Sequence, residues 1–425
     1  VFSSADGHVA DQGLRSYRTR HSRTTSLAIG AALLCAGRLP ADAVEKRLRT
    51  LAGALGLGTP SQAAQRVKVV HAPARWPEPT PLHRVAEELA REPVPDLGWT
   101  CTLVSGLPNS ESLLMWRADH VLVDGAGVAA VLAALCEPAC PPDAVTSPAH
   151  RQATEATVGN GPPAKTRVPT WPGTARAVRS AASMLVAVPH ASRLVPEHIL
   201  TRTPAPHDTR HAFTHLPLPR LRALATAYGV TVNDIYLAAL AGALRAWVAP
   251  WTEPDALRAV NALMPVNLRT PADAGVLGNR HLPVRVVLPV AEVRAAARVA
   301  LVYRRTKGLA AAMRHPIVHK LSASAPDLVG RWGMERCFHP RRATLLASSV
   351  TGPPHPLAVA GVPVRRVLPM NFLPAGHQLS VVLARAAGHA AVGFTGTRAL
   401  PRLHELADLW KREVSVLQEA AELPL

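Results

Sequence analysis

The stretch Asp119-His120-Val121-Leu122-Val123-Asp124-Gly125 decides how the rest of this chain is read. It follows an apolar run, Leu113 to Trp116, that reads as a strand, and it precedes an Ala/Val/Leu-rich segment from about Gly127 to Leu135 that reads as a helix. A strand that ends in a glycine-containing turn before a helix is a common place for side chains to be presented into a cleft. A neutral imidazole, with an ordinary pKa of about 6.5, takes a proton from an alcohol or amine as that group attacks an acyl carbonyl. The carboxylate four residues on, Asp124, either hydrogen-bonds the ring or turns away to hold the loop through an arginine. Gly125 lets the backbone turn closely. The bland alternative is that His120 and Asp124 only cap and satisfy the turn.

A second reading competes for the same residues. Gly125-Ala126-Gly127-Val128-Ala129-Ala130 matches the dinucleotide fingerprint GxGxxA, with Asp143 at nearly the required distance. Against it, Arg117, Asp119, His120 and Asp124 stud what should be a fully buried parallel strand, and Asp143 follows Pro141 and Pro142 in loop-like sequence. Other motifs are weaker still. His315 and His319 have helical spacing but enclose Pro316, and Cys136 and Cys140 have no second pair at zinc-ribbon spacing, so no metal site is expected. Neither GxSxG nor GxxxxGK occurs, which removes the usual support for a serine hydrolase or a P-loop enzyme.

Composition bounds the class. At 425 residues with 48% hydrophobic and 18% charged side chains, the chain builds a core and points to two domains or lobes. The 47 basic residues against 29 acidic ones leave a formal charge of +18, which invites a nucleic-acid reading. Only six of the basic residues are lysine, however, and with abundant Ala and Pro this is the bias of a GC-rich genome. Aromatics at 4% are too scarce for the stacking platforms that read single strands, so no nucleic-acid partner is expected. Five scattered cysteines suggest no disulfide framework and fit a reducing cytosol. Val1 to Thr25 lacks an apolar signal region, and the longest apolar runs are too short to span a bilayer. A cytoplasmic protein is expected, at most touching a membrane surface.

Along the chain, an arginine-bearing arm leads to the apolar run Ser26 to Ala36, read as a buried strand, and then to helices through about Leu55 and over Pro81 to Arg91. Residues 1–150 form a first lobe carrying the motif. Residues 151–210, rich in Pro, Ala and Thr, read as a crossover linker with one helix near Ala175 to Val188. Residues 211–425 form a second lobe. There Thr231-Val232-Asn233-Asp234 looks like an N-terminal cap for a helix through Val248, five strand-like segments follow between Ala259 and Phe394, and a helix over Arg402 to Ala421 closes the chain. The fold class is α+β.

Several ordered segments together resemble the bacterial wax ester synthase/diacylglycerol acyltransferase family, within the condensation-domain and chloramphenicol acetyltransferase-like superfamily. Asp119 to Gly125 resembles its HHxxxDG motif. Thr231-Val232-Asn233-Asp234-Ile235 and the following Leu237 to Arg245 resemble "TVNDV…LAAVAGALR". Pro265-Val266-Asn267-Leu268-Arg269 resembles "PVSLR", Gly278-Asn279-Arg280 resembles "GNR", and Ser349-Val350-Thr351-Gly352-Pro353 resembles "NVPGP". The departures are Asp119 in place of the first His, Ser349 in place of Asn, Arg385-Ala386 where the family has "SY", and a reduced "PLDRxRPLW" element over Glu92 to Trp99.

The resemblance implies two chloramphenicol-acetyltransferase-like lobes with a central substrate tunnel and His120 near its middle. It implies a general-base role for His120 on a hydroxyl acceptor that attacks an acyl thioester in one step. Asp124, with Asp119 and Gly125, would be structural support, and Arg269 is the candidate partner for Asp124 from the second lobe. Asn233, Asp234, Asn267, Ser349 and Gln378 would line the tunnel, although Asn233 and Asp234 read equally well as caps of their helix. No cofactor is implied beyond acyl-CoA or an acyl carrier protein as co-substrate. The altered motif leaves open a condensation-type enzyme of secondary metabolism forming an ester or amide, or an inactive homologue that binds a partner.

Overall fold

The computed structural model describes residues 9–21, 25–72, 82–139, 199–201, 209–250, 260–270, 276–313 and 327–423, with Leu194 and Asp273 between them. The expected helix at Ala175 to Val188, Asp143, Cys140, His315 and His319 lie outside these residues.

In the first half, α1 (Val9–His21) precedes β1 (Ala28–Cys35), α2 (Ala41–Ala54), α3 (Pro60–Arg66), β2 (Val67–His71), α4 (Leu82–Ala90), β3 (Trp99–Ser105), β4 (Ser112–Asp119), α5 (Gly125–Leu135) and β5 (Glu137–Pro138). In the second half come β6 (Thr209–Pro217), α6 (Leu218–Ala227), α7 (Val232–Val248), β7 (Val260–Asn267), β8 (His281–Leu288), α8 (Ala295–Thr306), α9 (Leu309–Met313) and α10 (Asp327–Cys337). The chain continues through β9 (Leu345–Thr351), β10 (Leu357–Val359), β11 (Val362–Met370), β12 (Leu379–Ala386), β13 (His389–Thr397) and α11 (Leu403–Glu419).

Two sheets result. One has seven strands in the order β2-β3-β4-β1-β11-β10-β5, and the other has six in the order β6-β13-β12-β9-β7-β8. The apolar run of β1 is buried along nearly its whole length because the strand is central, paired antiparallel to β4 on one side and β11 on the other. Val44, Leu48 and Ala52 recur every fourth residue on α2 and give it one buried stripe. Helix α7 is buried from Asp234 to Leu244 without a break, so it is a core helix of the six-stranded half. Its start is set by a capping box in which Thr231 Oγ1 accepts from Asp234 N–H and Asp234 accepts from Thr231 N–H at 2.9 Å.

One segment departs from the expected division at residue 211. Strands β10 and β11 belong by sequence to the second half, yet they extend the first sheet, with Ala32 opposite Leu368. Pro363, Pro369 and the adjacent Arg365 and Arg366 disguise this strand, because prolines and paired charges are poor signs of a sheet interior. The two sheets meet closely where β11 crosses β13: a Cβ on Gly393 would lie 1.9 Å from the carbonyl oxygen of Pro369, so only glycine fits there. The arginine-bearing arm is helical as α1 and packs against α10, with the Tyr17 and Phe338 rings 4.9 Å apart edge to face.

Candidate active site

His120 stands at the end of β4, in the turn that leads into α5. Its backbone is tied from both sides. His120 N–H donates to the Leu27 carbonyl at 2.9 Å, and Asn279 Nδ2 donates to the His120 carbonyl at 2.7 Å. Just beyond, Val123 forms a parallel bridge with Gly278, so the turn before β8 in the second half acts as a short strand beside the motif. The ring packs against the edge of Phe372, with centroids 5.1 Å apart at 90°, and lies 5.8 Å from the His281 ring. Its Nδ1 is buried without a hydrogen-bond partner, and the residue borders a cavity of about 650 Å³ lined from both sheets. Burial, with the neighbouring His281, pushes the imidazole down to about 4, against smaller opposing effects from its own carbonyl, Asp124 and Asn279. The ring is therefore neutral at physiological pH.

Asp124 does not bond the imidazole. It caps α5, with Oδ1 accepting from Gly127 N–H at 2.8 Å, and it is buried. The same Oδ1 accepts from Arg269 Nη2 at 3.0 Å, and Oδ2 accepts from Arg280 N–H at 3.0 Å. Arg269 Nη2 also donates to the Gly278 carbonyl at 2.9 Å. Burial alone would push the Asp124 carboxyl up, but His281, Arg269 and the Arg280 N–H outweigh it and hold it at about 2. Asp124 thus stays charged and joins the motif to the second half of the chain. Gly125 lies so close to β9 that a Cβ would sit 2.7 Å from Val350 Cγ2.

The remaining predicted residues fall into two groups. Asn233, Asp234, Asn267 and Ser349 all border the cavity. Asn233 faces it from the first turn of α7, whereas Asp234 is held in the capping box and accepts from Thr306 Oγ1 at 2.5 Å, pinning the end of α8. Ser349 Oγ is buried without a partner, and Asn267 Oδ1 accepts from Arg269 N–H at 2.9 Å. Gln378 and Asp119 are not cavity residues. Gln378 is buried beside Thr397 at the start of β12, away from the cavity, because its side chain pairs with that hydroxyl. Asp119 turns back into the first lobe, accepting from Leu97 N–H and Val121 N–H at 3.0 Å each and pairing with Arg18 Nε at 3.1 Å.

The cavity walls are largely apolar, with Ile29, Leu33, Val128, Leu132 and Met264 among them, and the volume lies in the range of small-molecule sites. A second cavity of about 490 Å³ shares Val367, Ala384 and Ala386 with the first but contains no motif residue. No group of three or more metal-ligating side chains occurs among the described residues. The arrangement can bind an apolar chain and present a neutral imidazole to an incoming hydroxyl.

Two family models account for most of the chain. The wax ester synthase/diacylglycerol acyltransferase catalytic domain matches residues 66–236, and the C-terminal domain of the same family matches residues 277–418. The chain belongs to the wax ester synthase/diacylglycerol acyltransferase family. A putative diacyglycerol O-acyltransferase of Mycobacterium tuberculosis is 28% identical over 220 residues, 49% of this chain and 44% of that protein, so the chain matches less than half of that relative's length. A probable diacyglycerol O-acyltransferase of the same organism is 27% identical over 348 residues, 76% of this chain and 74% of that protein. Among solved structures, the wax ester synthase/diacylglycerol acyltransferase from Marinobacter aquaeolei VT8 superposes with a TM-score of 0.65 at 19% identity, covering 96% of this chain and 98% of that one. The starter condensation domain of rhizomide synthetase, a mutant in complex with C8-CoA and Leu-SNAC, superposes at 0.60 and 16% identity, covering 98% and 94%. Both share the two-lobed fold.

Within this family frame, the substitution of the first motif histidine by Asp119 acquires a physical reading: the aspartate braces the turn through two N–H groups and Arg18. Sequence reasoning missed His281 and Phe372, which flank the His120 ring, and it did not assign Asn279 to the site. The signal for Asn279 was present in the GNR turn. That for Phe372 was not, since a lone aromatic after β11 carries no periodicity.

Proposed function

We propose that the protein is an acyltransferase that moves an acyl group from an acyl thioester, with acyl-CoA as the donor, to a hydroxyl acceptor, with His120 as the general base. The observation that carries this reading is a neutral imidazole, gripped through its backbone and bordering a mainly apolar cavity. His120 Nε2 removes the hydroxyl proton as the oxygen attacks the thioester carbonyl carbon. The tetrahedral intermediate then expels the thiolate, which takes the proton back from the imidazolium, so ester and free thiol form and the ring returns to neutral. Holding both substrates on either side of the ring supplies much of the rate. Asp124 contributes by locking the turn rather than by touching the ring.

Among the described residues, no single helix is long and apolar enough to cross a membrane. We assign the protein to the cytoplasm, taking up apolar substrates by contact at a membrane surface.

The test is turnover of a panel of acyl-CoA and alcohol pairs, with products identified by mass spectrometry. His120→Ala should lower product formation by about two orders of magnitude or more. Unchanged product formation in that variant would remove the assignment.

A further inference from the structure

Arg385 lies on β12 and lines the His120 cavity. Its Nη2 donates to Thr351 Oγ1 at 2.7 Å across the β9–β12 pair, in which Arg385 and Thr351 stand directly opposite. This bond fixes the guanidinium on the cavity wall. Its Nε is buried with no partner. A guanidinium carries five N–H donors in a fixed fork suited to a carboxylate or phosphate, and among the described residues Arg385 forms no ion pair.

The cavity holds no spare negative charge to neutralise it. Its two carboxylates are committed, Asp124 to Arg269 and the Arg280 N–H, and Asp234 to Thr231 and Thr306. Lys307 also borders the cavity, over the Tyr303 ring at 5.5 Å from its centroid. A partly desolvated cation without a counterion is costly, and an anionic ligand removes that cost.

The position also has the right reach. Arg385, Asn267 and Asp124 all border this one cavity. A ligand that fills its volume of about 650 Å³ meets all three.

We propose that Arg385 anchors an anionic group, carboxylate or phosphate, of a substrate bound in the His120 cavity. The proposal rests on the acyl-transfer reading for the word substrate, and its test is made on binding so that the two fail separately. Calorimetric titrations of the full chain with octanoyl-CoA, octanoyl N-acetylcysteamine thioester, octanoate and 1-octanol would be compared for the wild type, Arg385→Gln and Arg385→Lys. Arg385→Gln should weaken at least one anionic probe by about tenfold or more and leave the two neutral probes unchanged, while Arg385→Lys should recover most of the loss. A loss confined to octanoyl-CoA assigns the anion to the donor's phosphates, and a loss confined to octanoate assigns it to a carboxylate on the acceptor. Arg385→Gln that binds both anionic probes as tightly as the wild type, or a wild type that binds neither, overturns the proposal. Binding that behaves as expected without any ester formation counts against acyl transfer and leaves the anchor standing.

Discussion

Asn279 Nδ2 donates to the main-chain carbonyl of His120 at 2.7 Å, joining residues 159 positions apart, and a longer contact of 3.3 Å reaches the Val121 carbonyl. The proposed base is thus held by a residue that never needs to touch a substrate. Asn279→Ala would leave the His120 carbonyl without this donor in a buried setting, at a cost of about 1–3 kcal/mol, and would let the ring drift. A displacement of about 1 Å is worth up to about 100-fold in rate. Steady-state kinetics should therefore show kcat falling by tenfold or more with KM little changed, alongside a lower melting temperature. A variant that melts early but keeps its kcat would reduce Asn279 to a purely structural residue.

With His120 as the base we propose, the same histidine sets the acid limb of the rate profile. Burial and His281 hold His120 down to about 4, so the neutral, proton-accepting form persists well below the ordinary imidazole range. The expected kcat/KM profile is flat from pH 8 down to about 5 and turns over only near 4. A limb near 6.5 would show that the ring in the working enzyme feels neither its burial nor its neighbour.

Stability follows a different course over the same range. His120, His211 and His377 are all buried, which pushes them down to about 4, 3 and 4 respectively, while each returns to about 6.5 on unfolding. Between those values the unfolded chain binds more protons than the folded one. Stability is therefore full above about pH 6.5 and is lost as pH falls toward the folded values, by up to about 1.4 kcal/mol per pH unit for each histidine. Urea unfolding at pH 7.5 and pH 5 should show a clearly lower midpoint at pH 5, and identical midpoints would contradict the burial of these rings.

Asp124→Asn separates structure from chemistry. Asparagine still caps α5, but it carries no charge for Arg269, whose buried guanidinium also loses its carboxylate. Breaking such a buried pair costs about 3–5 kcal/mol, so calorimetry should show a marked fall in melting temperature. The folded fraction should retain much of its turnover. A variant with wild-type melting and no activity would instead make the carboxylate a participant in catalysis.

The legibility of this molecule from its sequence varied with how local the signal was. Strand β1, helix α7 and helix α11 announce themselves through apolar runs or helical spacing, and each forms close to its expected bounds. His120 and its neighbours were visible because strand, turn and helix follow one another in a few residues. Helix α1 was hidden by its arginines, whose partners lie far away in sequence, Asp119 for Arg18 and Glu335 for Arg20, and β11 by its prolines. Gln378 was misplaced for a related reason: strand periodicity says which residues alternate, but not which face meets a cavity formed by another sheet. Contacts such as His120 to Phe372 and Asp119 to Arg18 depend on chain crossings that no short window contains.

The loan of β10 and β11 to the first sheet has a consequence for biogenesis. Val362 follows Cys35 by 327 positions, yet β11 is the partner of β1. At about 5–20 residues per second, a ribosome takes on the order of 15–70 seconds to deliver the missing strand. Throughout that interval β1, an apolar strand, presents an open edge on one side, the kind of surface that pairs with other nascent chains. The first lobe therefore cannot finish folding as it emerges. Yield in the cell should depend on chaperone occupancy of the early strands, and cutting the chain between its halves would leave β1 uncovered rather than release two independent domains.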